Sequence, residues 1–407
     1  MKILHTADIH LGYETHGKLD PQTGLNTRLL DFQRSFRFMV EKAIEEEVDL
    51  FLFCGDAYKT ADPTPTHQKL FAECLLPLHE AGIPIVMITG NHDIPVSHGK
   101  ASALDIFPYL RGKAHVFTLP DVATIPTRSG PLQLIALPWP VGSRLLSREE
   151  FRTYSPAEIN EIIVEKYIEF IDAALQTCDP ELPIVLAGHF TVQGSELSGS
   201  ERSSIIAYEP VFTIGQLARP EIDYVALGHI HKFQDLNPES HPPVVYSSSI
   251  ERVSFKEVDQ PKGFVLVEIT SEEGRKRTHY RFIETPARRF IALFVDLRGN
   301  EEPMETLLHH IEETSVADAI VRVRYQIEEE RLSEIDLHRL HQALGSAHKV
   351  AGIERVVEPR VREQRTRIQK DDSIEEALTR YLDQHEDLRP LQEELLTLAR
   401  RLKEELD

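Results

Sequence analysis

At 407 residues the chain exceeds the usual size of a single hydrophobic core, so more than one domain is expected. Hydrophobic residues at 41% and charged residues at 27% describe a globular composition, and no apolar run approaches the length of a membrane span. A formal net charge of −21, from 45 Lys plus Arg against 66 Asp plus Glu, disfavours holding a polyanion by bulk attraction, so binding nucleic acid must rely on metal ions, a local basic patch or a partner.

Met1-Lys2-Ile3-Leu4-His5 lacks the apolar region and cleavage site of a secretory signal, so a cytoplasmic protein is expected. The three cysteines, Cys54, Cys74 and Cys178, have no CxxC spacing and read as small buried hydrophobes.

In chain order, Ile3 to Ala7 reads as a first strand ending in Asp8-Ile9-His10. An acid and an imidazole two apart can point the same way, and mixed carboxylate and imidazole sets suit Mn²⁺, Fe²⁺ or Zn²⁺. Residues 11 to 27 read as a loop carrying His16, which is expected to be exposed and a candidate substrate contact. Apolar residues at helical spacing predict a crossover helix over Arg28 to Glu47.

Asp49 to Cys54 is the second strand, ending in Gly55-Asp56. After a helix over Thr66 to Ala81, the apolar run Ile83 to Thr89 delivers Gly90-Asn91-His92-Asp93 at its end. Taken alone, that tetrapeptide serves equally as an ordinary turn. The β-α-β-α-β order implies a mainly parallel sheet, whose carboxyl edge is where ligands collect.

Short strands follow at Ala114 to Thr118 and Leu132 to Leu137, and Trp139, between two prolines, reads as a packing residue. A helix is expected over 156 to 177. Ile184 to Gly188 then ends in His189, and Tyr224 to Gly228 ends in His229-Ile230-His231. One such histidine has an ordinary reading as a loop residue; three at two strand ends, after acids and imidazole at three others, point to a metal centre.

The ordered blocks Asp8-x-His10, Gly55-Asp56, Gly90-Asn91-His92-Asp93, Gly188-His189 and Gly228-His229-x-His231 resemble the calcineurin-like metallophosphoesterase superfamily. Within it the chain is most similar to the SbcD nuclease subunits of double-strand-break repair. Met1 to Tyr13, Gly188 to Gly199 and Tyr246 to Phe264 carry that closer likeness. The resemblance implies a four-layer α/β/β/α sandwich.

It also implies one divalent metal, Mn²⁺ by preference, on Asp8, His10, Asp56 and His231, and a second on Asp56, Asn91, His189 and His229. His92 would stabilise the transition state or protonate the leaving oxygen, with Asp93 orienting it. Where the family often has Asp or His after the aromatic Tyr58, this chain has Lys59, a candidate phosphate contact.

Beyond Pro286 the order strand (Phe290 to Leu297), helix (Glu305 to Glu313), strand (Ile320 to Ile327), helix (Glu334 to Leu344), strand (Val350 to Val357) predicts a small α/β domain. The expected division is 1–285 for the metallophosphoesterase nuclease domain, 286–365 for a capping domain that feeds DNA, and 366–407 for a basic linker and partner-binding helices. Arg360 to Lys370 is a local basic cluster, read as a solvated face or a phosphate contact. Leu391, Leu395, Leu398 and Leu402 form a terminal apolar stripe at helical spacing.

By resemblance that stripe docks on an SbcC-type coiled-coil ATPase. The whole is then a homodimer within a heterotetramer, acting on double-stranded DNA ends and hairpins with no membrane involved. The implied activity is double-strand exonuclease and single-strand endonuclease, in repair, recombination and replication. A stand-alone phosphoesterase for small phosphoesters or cyclic nucleotides shares the same ligands, but needs neither the added domain nor the stripe.

Overall fold

Two strands show how the sequence builds the frame. β2 (Leu50–Cys54) and β3 (Ile85–Ile88) are continuous apolar runs buried at every position, as a sheet covered on both faces requires. In β2, Leu50, Leu52 and Cys54 face one apolar cluster, while Phe51 and Phe53 face another. The period of two thus serves two cores at once.

The computed structural model describes residues 1–95, 99–109, 114–141, 153–201, 209–272, 275–356, 378–379, 382 and 392–404. It begins with β1 (Lys2–Thr6), α1 (Thr27–Glu45), β2, α2 (Pro65–Glu80), β3 and β4 (Ala114–Phe117). Then come β5 (Asp121–Thr127), β6 (Gly130–Leu137), α3 (Pro156–Thr177), β7 (Ile184–His189), β8 (Thr191–Val192), β9 (Val211–Phe212), α4 (Ile214–Leu217) and β10 (Tyr224–Gly228). β11 (Gln234–Asp235), β12 (Val244–Tyr246), β13 (Gly263–Glu272) and β14 (Arg275–Glu284) complete this part.

The first sheet has the order β14-β13-β1-β2-β3-β4, with β1 to β4 mutually parallel and β13 and β14 antiparallel additions. The second has the order β11-β12-β10-β7-β6-β5, with a parallel centre formed by β12, β10, β7 and β6.

Three apolar layers separate four structural ones. Leu29, Phe32, Phe36 and Met39 of α1 pack with Phe51 and Phe53 on the outside of the first sheet. Leu50, Leu52, Val86 and Ile88 meet Leu134, Val185, Ala187 and Ala226 between the sheets. Ile163, Tyr167 and Ile171 of α3 cover Leu186 and Val225 on the far side. The result is the expected α/β/β/α sandwich.

β5 lies outside the strands named from the sequence. It contains Pro126, yet it is the edge strand of its sheet, where a missing N–H need not break a ladder.

A smaller sheet follows, in the order β15-β16-β17, from β15 (Phe290–Asp296), α5 (Pro303–Glu313), β16 (Ile320–Gln326), α6 (Leu337–Ala343) and β17 (Lys349–Arg355). Its own core contains Val295, Leu307, Ile311, Val321, Val323 and Leu340. The helix predicted over 334–344 is shorter. A 3₁₀ turn occupies Glu329–Glu334, and Asp336 caps α6 by accepting the N–H groups of His338 and Arg339.

Met1–Glu354 forms one compact unit and Arg355–Asp407 another. Pro286 is therefore a change of sheet rather than a break in packing. Immediately after it, the Arg288 guanidinium grips both Asp31 oxygens of α1, at 2.6 and 2.5 Å, and the Asp318 carboxylate at 2.7 Å. In the second unit, α7 (Gln392–Glu404) is helical, with Leu395 half-buried and Leu398 exposed. The basic run over 360–370 and Leu391 lie outside the described residues. Among the described residues no helix is long and apolar enough to cross a membrane.

Candidate metal centre

The parallel strands at the middle of both sheets end at one place. Asp8 and His10 follow β1, Asp56 follows β2, a 3₁₀ turn of Asn91–Asp93 follows β3, His189 closes β7, and His229 and His231 follow β10. Backbone bonds join the first two loops: Asp8 N–H donates to the Gly55 carbonyl and His10 N–H to the Asp56 carbonyl, both at 2.9 Å. The backbone N–H of His229 crosses between sheets to the Asp8 carboxylate at 3.0 and 3.1 Å.

Two glycines permit this approach. A Cβ at Gly228 would lie 2.0 Å from the Cys54 carbonyl oxygen, and one at Gly90 would lie 2.1 Å from Asp56 Oδ1. Four of the candidate ligands have left-handed backbone: Asp8 (φ 52), His10 (φ 49), Asp56 (φ 62) and His229 (φ 93). Non-glycine residues rarely adopt this region, and such strain persists where surrounding structure over-determines it, commonly at functional sites.

Asp56 is the hub. Its Oδ2 lies 3.6 Å from His10 Nε2 and 3.5 Å from His189 Nε2, while its Oδ1 accepts the His92 backbone N–H at 2.9 Å. On one side, His10 Nε2 is 2.9 Å from His231 Nε2 and 4.0 Å from Asp8 Oδ1. On the other, Asn91 Oδ1 is 3.1 Å from His189 Nε2 and 3.3 Å from His229 Nδ1. Donor atoms of Asp8, His10 and His231, of His10, Asp56 and His92, and of Asp8, Asp56 and His189 each gather within 4.8 Å. Carboxylates and imidazoles so gathered, most of them buried, with the half-buried Asn91 carboxamide beside His189 and His229, fit borderline divalent ions.

The electrostatics reflect concentrated charge. Burial pushes the Asp8 carboxyl up, against the pull of His231 and His189. Burial acts the same way on Asp56, but His189, His10 and His92 hold it well below the usual carboxylate range. Burial lowers His189 and His231, yet Asp56 lifts the first and Glu257 the second, each to about 9.

The other predicted residues fall differently. His92 does not lean on Asp93. Its Nδ1 bonds the Lys59 carbonyl at 2.8 Å, while the Asp93 carboxylate accepts the backbone N–H groups of Asp56, Ala57 and Gly90. The 3₁₀ turn directs Asp93 back into the loop instead of towards its neighbour's ring. Lys59 Nζ sits over the Tyr13 ring, 5.0 Å from its centroid, and the His10 ring meets Tyr13 edge-on at 5.6 Å. His16 is half-buried instead of exposed, packed edge-on against Phe255 and Phe290.

Trp139 packs, as its sequence context suggests, but on the site itself, 5.2 Å from the His229 ring and 6.2 Å from that of His189. Two acids here, Glu209 and Glu257, went unread in the sequence. Glu209 Oε2 lies 3.2 Å from His229 Nε2, and Glu257 Oε1 lies 3.0 Å from His231 Nδ1. The signal available for Glu257 is an acid among the apolar Val253, Phe255 and Val258, within a segment already singled out by resemblance.

The sequence is similar to known proteins. A model of the calcineurin-like phosphoesterase family matches residues 1–233, more than half the chain. The chain belongs to the calcineurin-like phosphoesterase family. Among curated members, the SbcD component of the SbcCD nuclease from Staphylococcus epidermidis is 30% identical over 283 residues, covering 67% of each chain. The Escherichia coli K12 protein of the same name is 27% identical over 277 residues, covering 66% of this chain and 64% of its own.

The aligned region thus spans 64 to 67% of these relatives' length. A solved dimetal phosphatase from Danio rerio is similar at 12% identity and a TM-score of 0.41, over 70% of this chain and 99% of that one. As a calcineurin-like phosphoesterase and a relative of SbcD nucleases, the chain is a hydrolase of phosphoester bonds that works with divalent metal.

Proposed function

We propose that this chain is the nuclease component of an SbcCD-type complex, cleaving DNA phosphodiesters at ends and hairpins as a double-strand exonuclease and single-strand endonuclease. The observation that carries the reading is the Asp56 carboxylate, placed between His10 and His189 at 3.6 and 3.5 Å, together with the SbcD relatives. Asp8, His10, Asp56 and His231 would hold one ion and Asp56, Asn91, His189 and His229 the other, with Mn²⁺ the preferred occupant. When bound, such a pair supplies Lewis acidity to the phosphate oxygens and to the attacking water.

The chain's own residues do the rest. With Nδ1 engaged by the Lys59 carbonyl, Nε2 is the ring nitrogen of His92 left to serve the leaving oxygen as general acid. The ammonium of Lys59, beside Tyr13, supports a phosphate contact. His16, half-buried and packed on Phe255 and Phe290, keeps an exposed part that supports a substrate contact.

A net charge of −21 favours a DNA-gripping partner. An SbcC-type coiled-coil ATPase fills that place, docked on the terminal helix in a heterotetramer with two nuclease chains. Residues 286–365 serve as the capping domain that feeds DNA, and the setting is cytoplasmic DNA repair, recombination and replication.

The test is degradation of end-labelled linear duplex with Mn²⁺ by this chain and its Asp56→Asn variant, each with and without the ATPase. Metal-dependent cleavage lost in the variant is expected. Hydrolysis of a small phosphodiester with no DNA cleavage in any mixture would replace this reading with a stand-alone small-substrate enzyme.

A further inference from the structure

Around His231 lies a buried polar cluster, Glu201, Glu257 and Lys262, whose members are outside the candidate ligand set. Glu257 is fully buried, and its Oε1 lies 3.0 Å from His231 Nδ1. The same carboxylate accepts the Val253 N–H at 2.9 Å and the Ser200 hydroxyl, and pairs with the ammonium of the buried Lys262 at 3.1 Å. Lys262 Nζ in turn donates to the backbone carbonyl of His231 at 2.9 Å, and Ser248 Oγ donates there at 2.8 Å. Glu201 accepts the His231 backbone N–H at 2.8 Å and the Ser198 hydroxyl at 2.6 Å. His231 is therefore clamped at its ring, its N–H and its carbonyl, by residues from two segments distant in sequence.

From this geometry we infer that Glu257 is a positioning residue for the metal centre, holding the His231 ring with its proton on Nδ1 and its Nε2 lone pair toward the ions. A carboxylate paired with Lys⁺ only accepts, so the ring nitrogen facing it must be the donor. The opposite nitrogen, Nε2, is the one 2.9 Å from His10 Nε2. Carboxylates that take the outer N–H of a metal-bound histidine fix its tautomer and raise its basicity. Lys262 keeps Glu257 ionised and ties the ring's partner to the backbone of the residue it serves. Glu209 faces His229 through Nε2 at 3.2 Å, so the two neighbouring histidines present opposite ring nitrogens.

The inference rests on the metal-centre reading, and the test separates the two. Zn²⁺ serves as a diamagnetic probe for isothermal titration and for ¹H–¹⁵N ring spectra of the full chain. If the wild-type chain binds no Zn²⁺, the metal-centre reading itself fails. If it binds, His231 is expected to show a protonated Nδ1 and a metal-shifted Nε2, and a proton on Nε2 overturns the role given to Glu257.

Glu257→Leu combined with Lys262→Met removes both buried charges, and Zn²⁺ affinity should fall roughly 10- to 100-fold. Glu257→Gln with Lys262→Met retains a carbonyl acceptor and should recover most of that loss. Wild-type affinity in both folded double variants would overturn the proposal. Should neither variant fold, the wild-type ring spectrum alone decides.

Discussion

The Asp93 carboxylate accepts the backbone N–H of Asp56 at 2.7 Å, tying the loop after β3 to the loop after β2. The same group takes the N–H of Ala57 and of Gly90, both at 2.9 Å. It thereby sets the direction from which the Asp56 side chain leaves its strained backbone. Asp93→Asn keeps one acceptor and turns an NH₂ against a backbone N–H. A buried donor so orphaned costs about 1–3 kcal/mol, partly offset by relief of repulsion with Asp56. Urea unfolding should show lower stability, and Mn²⁺ titration weaker binding. Unchanged values in both would mean the loop needs no such tie.

His92 presents the opposite case, a residue expected to matter for turnover and little for metal. Its ring is oriented by the Lys59 carbonyl and its N–H by Asp56 Oδ1. His92→Ala should bind Mn²⁺ with near-native affinity while hydrolysis of a small phosphodiester falls by about 10²–10⁴-fold, the usual range for general acid–base assistance. Loss of metal together with activity would make His92 a ligand instead.

The strand-end blocks were legible because each is an apolar run that stops abruptly at a charged or imidazole residue, and a parallel sheet gathers such ends at one edge. What stayed hidden depends on contacts between segments far apart in the chain. Glu257 reaches His231 from a loop beyond β12, and Trp139 reaches His229 from the end of β6; neither distance has a period. Adjacency misled in one place. Asp93 follows His92, but the 3₁₀ turn separates the directions of their side chains. His16, polar and flanked by glycine, reads as exposed, and only the packed Phe255 and Phe290 make it part of a wall.

Where the sheets meet, backbone needs space that only glycine leaves. A methyl at Gly228 would sit 2.0 Å from the Cys54 carbonyl oxygen and 2.7 Å from Ala7 Cβ. Gly228→Ala must push the two sheets apart beneath the ligands, so we expect a lowered melting temperature and loss of Mn²⁺ binding. Gly215→Ala is the matched control: nothing lies within 4 Å of its added methyl, and both properties should be retained. A Gly228→Ala chain that melts and binds like the control would contradict the close approach.

His5, on β1 but not among the candidate ligands, sets a pH dependence of stability. Its ring is fully buried, with Nδ1 3.0 Å from the Tyr224 hydroxyl and Nε2 3.2 Å from the Leu227 carbonyl. Burial lowers its pKa from 6.5 to about 3, against the opposing pull of that carbonyl. Between those values the unfolded chain binds a proton that the folded chain refuses. Folding stability therefore rises with pH across this window and is lost as pH falls, with a slope of at most about 1.4 kcal/mol per pH unit from this group. His5→Gln keeps a neutral donor and acceptor without the titration. In chelator-treated protein, the urea midpoint of wild type should drop more steeply from pH 6.5 to 4 than that of His5→Gln. Parallel curves would show that His5 does not titrate differently on folding, and that the acid sensitivity belongs to other groups.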